Sequence, residues 1–222
     1  MQLQFWGHSC FLLSTPNYSL LFDPFLRDNP HQLIQPESIK CDYIFVSHGH
    51  HDHLGDAIEI AKANDAQIVA TFELASMCET SGCRIHPMHI GGKHVFDFGS
   101  VRLTPALHGA GVSGGLASGF IVSIFGKTIY FAGDTGIFGD MQLLGRLESI
   151  DYALLPIGDN FTMGPTDAAE AAKMLNAKHV IPMHYNTWPL IAQNAETFKQ
   201  DVEARFSIPV HILLPGQTLS LD

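Results

Sequence analysis

The chain of 222 residues carries 22 acidic against 12 basic side chains, a formal net charge of −10, and 46% of its residues are hydrophobic. This apolar content is enough for a buried core, and no linker or low-complexity tract divides the sequence, so we expect a single domain over residues 1–222. The acidic balance argues against a broad basic surface for nucleic acid. No apolar run reaches the roughly 18 residues of a membrane span, so we expect no membrane association.

The four cysteines show no C-x-x-C spacing, and the amino terminus lacks a basic segment followed by a long apolar stretch. We therefore expect a cytoplasmic protein with reduced thiols. The four are Cys10, Cys41, Cys78 and Cys83.

In chain order, the first third predicts an antiparallel opening followed by a parallel sheet. Short strands are predicted at residues 3–6, 11–13, 18–23, 43–46 and 67–71, and helices at 57–63 and 72–80. Residues 27–41 contain Pro30 and Pro36 and are typical of an irregular loop.

The remainder predicts hairpins and then a second alternation of strands and helices. Strands are predicted at 94–98, 101–106, 118–125, 127–131, 152–155, 179–182 and 210–213, and helices at 141–147, 166–175 and 195–206. Because strands come first in both halves and strand-helix units follow, we predict an α/β fold. Its architecture is a four-layer αββα sandwich of two facing mixed sheets with outer helices.

A cluster of potential metal ligands follows the predicted strand at 43–46. Residues 47–53 read Ser-His-Gly-His-His-Asp-His, an H-x-H-x-D-H pattern on a strand-to-helix connection. Imidazole and carboxylate groups suit zinc, manganese or ferrous iron. His51 lies between the ligand candidates, and we expect it to point away from them.

A histidine-rich surface loop is the alternative, and three further ligand-type residues weaken it. His108, Asp134 and His184 each come shortly after a predicted strand. If these strands lie side by side, their ends meet at one edge, where open α/β sheets commonly bind ligands. The pattern therefore predicts a shared metal site and metal-assisted hydrolysis.

With these residues in this order, the chain resembles the metallo-β-lactamase-fold hydrolase superfamily over nearly its whole length. The segments at residues 7–11, 23–25, 131–135 and 156–159 resemble more closely the small bacterial-type metal-dependent hydrolases near the ascorbate-phosphate lactonase branch. Because fold alone does not give a substrate, the reaction must be argued from the site.

The resemblance implies two metal ions, with zinc preferred over manganese or iron. It implies that His48, His50 and His108 hold one ion, that Asp52, His53 and His184 hold the second, and that Asp134 bridges them. The β-lactamases of the superfamily use a cysteine ligand that this chain lacks, which disfavours a β-lactam substrate.

The expected reaction is attack by a metal-bridging hydroxide on a small ester, lactone or phosphoester, with Asp52 orienting the water or accepting its proton. A phosphodiesterase or nuclease is one alternative, and a non-catalytic metal-binding ligand sensor is another. A redox role like that of the diiron flavoproteins is disfavoured, because His50 stands where those relatives carry glutamate. The expected partner is a small-molecule substrate; a homo-oligomer is one of the states the sequence allows.

Four residues outside the ligand motif are further candidates. His8, in the Gly7-His8-Ser9 turn, is expected to hydrogen-bond substrate or to donate a proton to the leaving group, with a turn histidine as the alternative. Asp159, Tyr185 and Asn186 are candidates for contacting substrate, although aromatic residues at a strand end often only close the core.

Overall fold

The computed structural model describes residues 1–221, and over this range the chain forms thirteen β-strands and six α-helices. The strands are β1 Gln2–Gly7, β2 Cys10–Ser14, β3 Ser19–Phe22, β4 Tyr43–Phe45, β5 Gln67–Thr71, β6 Arg84–Met88, β7 Lys93–Phe96, β8 Gly99–Pro105, β9 Ser118–Ile124, β10 Lys127–Phe131, β11 Tyr152–Pro156, β12 His179–Met183 and β13 Thr218–Ser220. The helices are α1 His51–Leu54, α2 Ala57–Asn64, α3 Phe72–Thr80, α4 Met141–Leu147, α5 Pro165–Met174 and α6 Ala195–Phe206. Short 3-10 turns lie at Pro36–Ser38 and Pro189–Ile191.

The chain folds as two compact units. The first comprises Met1–Ile90, Gly109–Ser118 and the stretch that begins at Leu213. Its seven-stranded sheet has the order β13-β1-β2-β3-β4-β5-β6, antiparallel from β13 to β3 and parallel from β3 to β6. The change follows from the connections, because short turns join β1, β2 and β3, whereas the long segment 23–42 separates β3 from β4 and helices separate β4, β5 and β6.

Apolar side chains from α2 and α3 bury this part of the first sheet. The contributing helix residues are Ala57, Ile60, Ala61, Leu74, Ala75 and Cys78, which form one core with Ile44, Val46, Ile68 and Ala70. Alternate positions of β4 and β5 thus point to the same helix layer, as the period of two in a strand requires. The loop that follows β4 is therefore anchored to a packed scaffold.

The second unit comprises Gly91–His108 and Gly119–Ile212. Its six-stranded sheet has the order β12-β11-β10-β9-β8-β7, in which β10, β11 and β12 run parallel. The hairpins β7–β8 and β9–β10 are antiparallel. Four alanines of α5 are fully buried, so this helix packs closely through small side chains: Ala168, Ala169, Ala171 and Ala172.

Two mixed sheets with associated helices confirm the predicted α/β class, and most predicted elements fall within a few residues of the observed ones. The strands β6 and β13 were not predicted. A strand predicted at 210–213 was wrong, because only an isolated bridge between Val180 and Val210 forms there. Side chains of α6 form hydrogen bonds with the backbone of Val210 instead. Glu203 accepts from its N–H at 3.1 Å, and Lys199 donates to its carbonyl at 2.7 Å.

All four cysteines are buried and none forms a disulfide within residues 1–221. Burial raises the pKa of Cys41 and of Cys78 to about 12, so both thiols are protonated at neutral pH. Over the same residues, no helix combines the length and apolar character needed to cross a membrane.

Candidate metal site

The H-x-H-x-D-H motif begins at His48, three residues after the end of β4, and continues into the short helix α1. His50 occupies the N-cap position with extended backbone, and Asp52 and His53 lie within the helix. Gly49 has room for no side chain, because a Cβ there would lie 2.6 Å from Val112 Cγ1. Its N–H donates to the carbonyl of Ala110 at 2.8 Å. This close approach fixes the backbone between the two histidines.

The end of the helix is set by a second close approach of the backbone. Gly55 has φ 39°, and a Cβ there would lie 2.4 Å from the carbonyl oxygen of Pro24. Only glycine avoids that overlap at this φ. The motif is therefore held at both ends by contacts that exclude larger residues.

Asp23 is the centre of a buried hydrogen-bond network beneath the motif. It is fully buried, and its Oδ1 accepts from the N–H of Ser47 at 2.7 Å. Its Oδ2 accepts from Ser47 Oγ at 2.6 Å and from Nδ1 of His53 at 2.6 Å. Because an ionised carboxylate has no proton to give, His53 must carry its proton on Nδ1, which leaves Nε2 as a lone-pair donor.

Ser47 sets the tautomer of His48 by the same logic. Its hydroxyl has one proton, which goes to Asp23, so the contact of 2.9 Å between Ser47 Oγ and His48 Nδ1 requires Nδ1–H of the histidine as donor. Nε2 of His48 is then also a lone-pair donor, and it lies 2.9 Å from Nδ1 of His50. Two buried imidazoles are thus presented in the form that binds a metal ion.

Sequence reasoning did not nominate Asp23 as a site residue. The available signal was its position, because it ends a predicted strand directly before Pro24, in a segment that supported the family resemblance. Its partners are 24 and 30 residues away in the chain, so the network itself was not visible in any local pattern.

Asp52 and His8 lie near His53 on the side of its Nε2 atom, whereas Asp23 contacts its Nδ1 atom. Nε2 of His8 is 3.1 Å from Oδ2 of Asp52, and the same oxygen is 3.8 Å from Nε2 of His53. His8 is buried, and its position in the turn after β1 places it beside the motif although 44 residues separate it from Asp52. The two residues predicted to act in catalysis therefore contact each other.

In the second unit, Asp134 lies between two histidines. Its Oδ2 is 3.0 Å from Nε2 of His184 and 3.5 Å from Nε2 of His108. Asp134 follows β10 through Gly133, which has φ 60°, and His184 follows β12 directly. Because β10 and β12 are parallel, residues just beyond their carboxyl ends share one edge of the sheet.

Several of these residues adopt left-handed backbone conformations that non-glycine residues rarely use. His8, Asp23 and His184 have φ of 57°, 38° and 54°. Such positions carry strain, and they concentrate at functional sites, where surrounding contacts hold them. The strain coincides here with residues that approach or position the candidate ligands.

The three candidates for substrate contact lie on loops of the second unit. Asp159 follows β11 with φ 61°, and its Oδ1 accepts from the N–H of Asn160. Burial raises the pKa of Tyr185. Asn186 is exposed, and its Oδ1 accepts from the N–H of Gln193 at 2.8 Å, so it stabilises its own loop. A role in substrate contact stays a prediction for all three.

His51 provides a contrast within the motif. Its side chain is 72% exposed and its Nε2 lies 2.9 Å from Oδ2 of Asp28. The expectation that it points away from the ligands was argued from an extended loop, whereas the observed segment is helical.

The donor atoms fit divalent metal ions. In the first unit, one ligand atom each from Asp52, His53 and His8 lie within 4.8 Å of one another, and so do those of His48 and His50. Mixed imidazole and carboxylate donors suit zinc, manganese and iron. Buried ligands whose second nitrogen is hydrogen-bonded are the usual surroundings of a protein metal ion.

Comparison with known proteins agrees with this chemistry. The β-lactamase superfamily domain matches residues 18–185. A protein of Desulforamulus reducens named UPF0173 metal-dependent hydrolase is 55% identical over 231 residues that span both chains completely. The solved structure of Igni18, a metallo hydrolase from Ignicoccus hospitalis, has a TM-score of 0.94 and 34% identity, covering 100% of this chain and 98% of that chain.

A more distant structure identifies the fold. The metallo-β-lactamase fold protein YhfI from Bacillus subtilis has a TM-score of 0.77 at 14% identity, with 98% of each chain covered. The predicted metallo-β-lactamase fold is thereby confirmed. The chain belongs to the UPF0173 metal-dependent hydrolases of the β-lactamase superfamily.

Proposed function

We propose that this hydrolase binds two divalent metal ions and cleaves a small ester, lactone or phosphoester. The proposed ligands of one ion are His48, His50 and His108. Those of the other are Asp52, His53 and His184, and Asp134 is shared by both ions. Zinc is the preferred metal, because its affinity for imidazole and carboxylate sites is high.

The observation that carries this proposal is the network around Asp23. Its carboxylate and Ser47 hold the Nδ1 protons of His53 and His48, with donor-acceptor distances of 2.6 and 2.9 Å. A buried carboxylate costs free energy unless hydrogen bonds compensate, and a purely structural role would not require both imidazoles to present Nε2 lone pairs. Pre-set tautomers favour metal binding over a structural histidine cluster.

Divalent cations bound by these residues would supply a water of lowered pKa and polarise the scissile carbonyl or phosphoryl group. Asp52 is partly exposed, with 25% of its side chain accessible, so it can accept a proton from an incoming water. His8 orients the Asp52 carboxylate through the 3.1 Å contact between its Nε2 and Oδ2 of Asp52. Its proposed role in the reaction is to donate a proton to the leaving group. Asp23 and Ser47 act through the ligands and do not touch substrate.

Charge and composition support a small-molecule substrate. The net charge of −10 disfavours a polyanionic substrate such as nucleic acid, because proteins bind nucleic acid through clusters of basic side chains. A small molecule with one hydrolysable bond fits better.

A panel of chromogenic substrates tests the proposal: a p-nitrophenyl ester, an aromatic lactone and bis-p-nitrophenyl phosphate. We expect hydrolysis of at least one of these compounds to disappear after chelation and to return with zinc or manganese. His50→Ala should abolish it, whereas His51→Ala, which removes the exposed neighbour in the same motif, should retain it. Turnover that survives complete metal removal would refute the proposal. Full metal occupancy without turnover on any substrate would favour the ligand sensor.

A further inference from the structure

Two ligand candidates of the second unit follow strands that are not neighbours in the sheet. His108 comes three residues after the end of β8, and Asp134 comes three residues after the end of β10. In the sheet, β9 lies between these two strands. Because neighbouring strands are about 4.8 Å apart, β8 and β10 are separated by roughly 10 Å. The sheet alone therefore does not bring His108 within 3.5 Å of Asp134.

Thr135 joins the two segments beyond the strands. Its Oγ1 accepts a hydrogen bond at 2.9 Å from the backbone N–H of Leu107, the residue before His108. The same hydroxyl donates its proton to the carbonyl of Gly136 at 2.6 Å. A second bond between the segments runs from the N–H of Gly136 to the carbonyl of Leu107 at 3.2 Å. The side chain of Thr135 is completely buried, so water does not compete for these bonds.

The turn that carries Asp134 is rich in glycine. Gly133 precedes Asp134 with φ 60°, and Gly136 follows two residues later. Because glycine adopts many backbone conformations, side-chain contacts are needed to hold this turn in one of them. On the other segment, the side chain of Leu107 is 59% exposed, so its packing does little to fix the position of His108. The hydroxyl of Thr135 supplies a tie between the two segments.

We propose that Thr135 is a positioning residue, whose hydroxyl holds His108 and Asp134 at the separation that a bound metal ion needs. The inference rests on the proposed function, in which both side chains bind one ion. Groups of a functional site must be held within about 0.5 Å of their productive positions, and hydrogen-bond partners outside the site supply this constraint. Thr135 acts through the backbone of Leu107 and through its own turn, and it does not itself bind the metal.

Thr135→Val tests this role, because valine keeps the branched side chain and removes the hydroxyl. The backbone bond between Gly136 and Leu107 remains available. Without its side-chain acceptor, the N–H of Leu107 turns towards water and the segment that carries His108 shifts. In crystals of the metal-free protein, we expect the distance between His108 Nε2 and Asp134 Oδ2 to increase by at least about 0.5 Å. Thr135→Ser, which keeps the hydroxyl, should preserve the wild-type distance.

Zinc titrations against a competing chelator measure the consequence for metal binding. The ion that His108 helps to hold should bind about 10- to 100-fold more weakly to Thr135→Val, whereas Thr135→Ser should keep wild-type affinity. Thr128→Val is the matched control, because its hydroxyl lies at the other end of β10, 3.4 Å from Oγ of Ser123. We expect the wild-type distance and the wild-type affinity from this control.

Three outcomes for Thr135 would overturn the proposal. One is the wild-type distance together with wild-type zinc affinity in Thr135→Val. Another is a loss of thermal stability with unchanged zinc affinity, which would make the hydroxyl a structural cross-link only. The third is an equal loss of affinity in Thr135→Ser, which would trace the effect to side-chain shape.

The zinc stoichiometry of the wild type tests the proposed function separately. A single ion per chain would contradict the dinuclear centre. The distance between His108 and Asp134 in crystals of the variants would still decide the role of Thr135.

Discussion

Asp23 lies 2.6 Å from His53, through its Oδ2 and the imidazole Nδ1, and both side chains are completely buried. The same carboxylate holds the backbone and hydroxyl of Ser47, which in turn contacts His48. One buried charge thus orients two candidate metal ligands.

Replacing Asp23 should therefore weaken metal binding although Asp23 is not itself a proposed ligand. In Asp23→Asn, the amide NH2 would face N–H or O–H donors, so His53 and His48 lose their fixed tautomers. We expect metal affinity to fall by about 10- to 100-fold, as is typical for such supporting residues. Loss of the buried network should lower the free energy of unfolding of the metal-free protein by about 3 kcal/mol.

Isothermal titration calorimetry and chemical denaturation measure these two effects. Asp28→Asn is the control, because Asp28 pairs with an exposed histidine of the same motif, His51. Wild-type metal affinity in Asp23→Asn would remove Asp23 from its supporting role.

His8→Ala should keep both metal ions and the fold but slow turnover. His8 contacts the carboxylate of Asp52 at 3.1 Å, so its removal takes away a hydrogen bond and a proton carrier beside the proposed reaction centre. We expect kcat to fall about 10²-fold or more if proton transfer is involved. Steady-state kinetics and metal analysis of the same preparation check this. Unchanged turnover would exclude the catalytic role, and loss of one metal would make His8 a ligand.

Asp134→Ala should lose metal and activity together. The carboxylate lies 3.0 and 3.5 Å from the Nε2 atoms of His184 and His108, and without it less negative charge faces the bound cations. Asp140→Ala, at an exposed position after the same strand, is the control and should retain both properties. If Asp134→Ala bound both ions with wild-type affinity, Asp134 would not be the bridging ligand.

Much of the fold and most of the candidate ligands could be predicted because their signals are local. A short apolar run marks β4, and the motif after it consists of histidine and aspartate residues, which are common metal ligands. The network of Asp23 could not be predicted, because it joins residues 24 and 30 positions apart. The strand wrongly predicted at 210–213 has a similar cause, since side chains of α6 form hydrogen bonds with the backbone N–H and carbonyl of Val210. Likewise, β6 was missed because Pro87 interrupts its pattern.

His211, away from the candidate ligands, should contribute to the pH dependence of stability. Burial, the nearby His179 and Lys199 lower the pKa of His211 below its ordinary value of 6.5. The unfolded chain therefore binds a proton at His211 more readily than the folded chain. Its contribution to stability is present above pH 6.5 and is lost as the pH falls through the lowered pKa of the folded state.

Thermal denaturation of the metal-free protein at about pH 7.5 and about pH 5.5, on either side of the ordinary histidine pKa, measures this contribution. His211→Gln should lose less stability than wild type on acidification, whereas the exposed control His89→Gln should match wild type. The same acid-induced loss in His211→Gln as in wild type would show that His211 does not contribute.

Metal stoichiometry tests the central claim, a dinuclear centre, most directly. The protein should be purified without chelator, supplied with zinc or manganese, freed of loosely bound ions and analysed by inductively coupled plasma mass spectrometry against protein concentration. We predict two ions per chain, because the seven proposed ligands exceed what a single tetrahedral cation can use. A ratio that never exceeds one with either metal would contradict the dinuclear assignment.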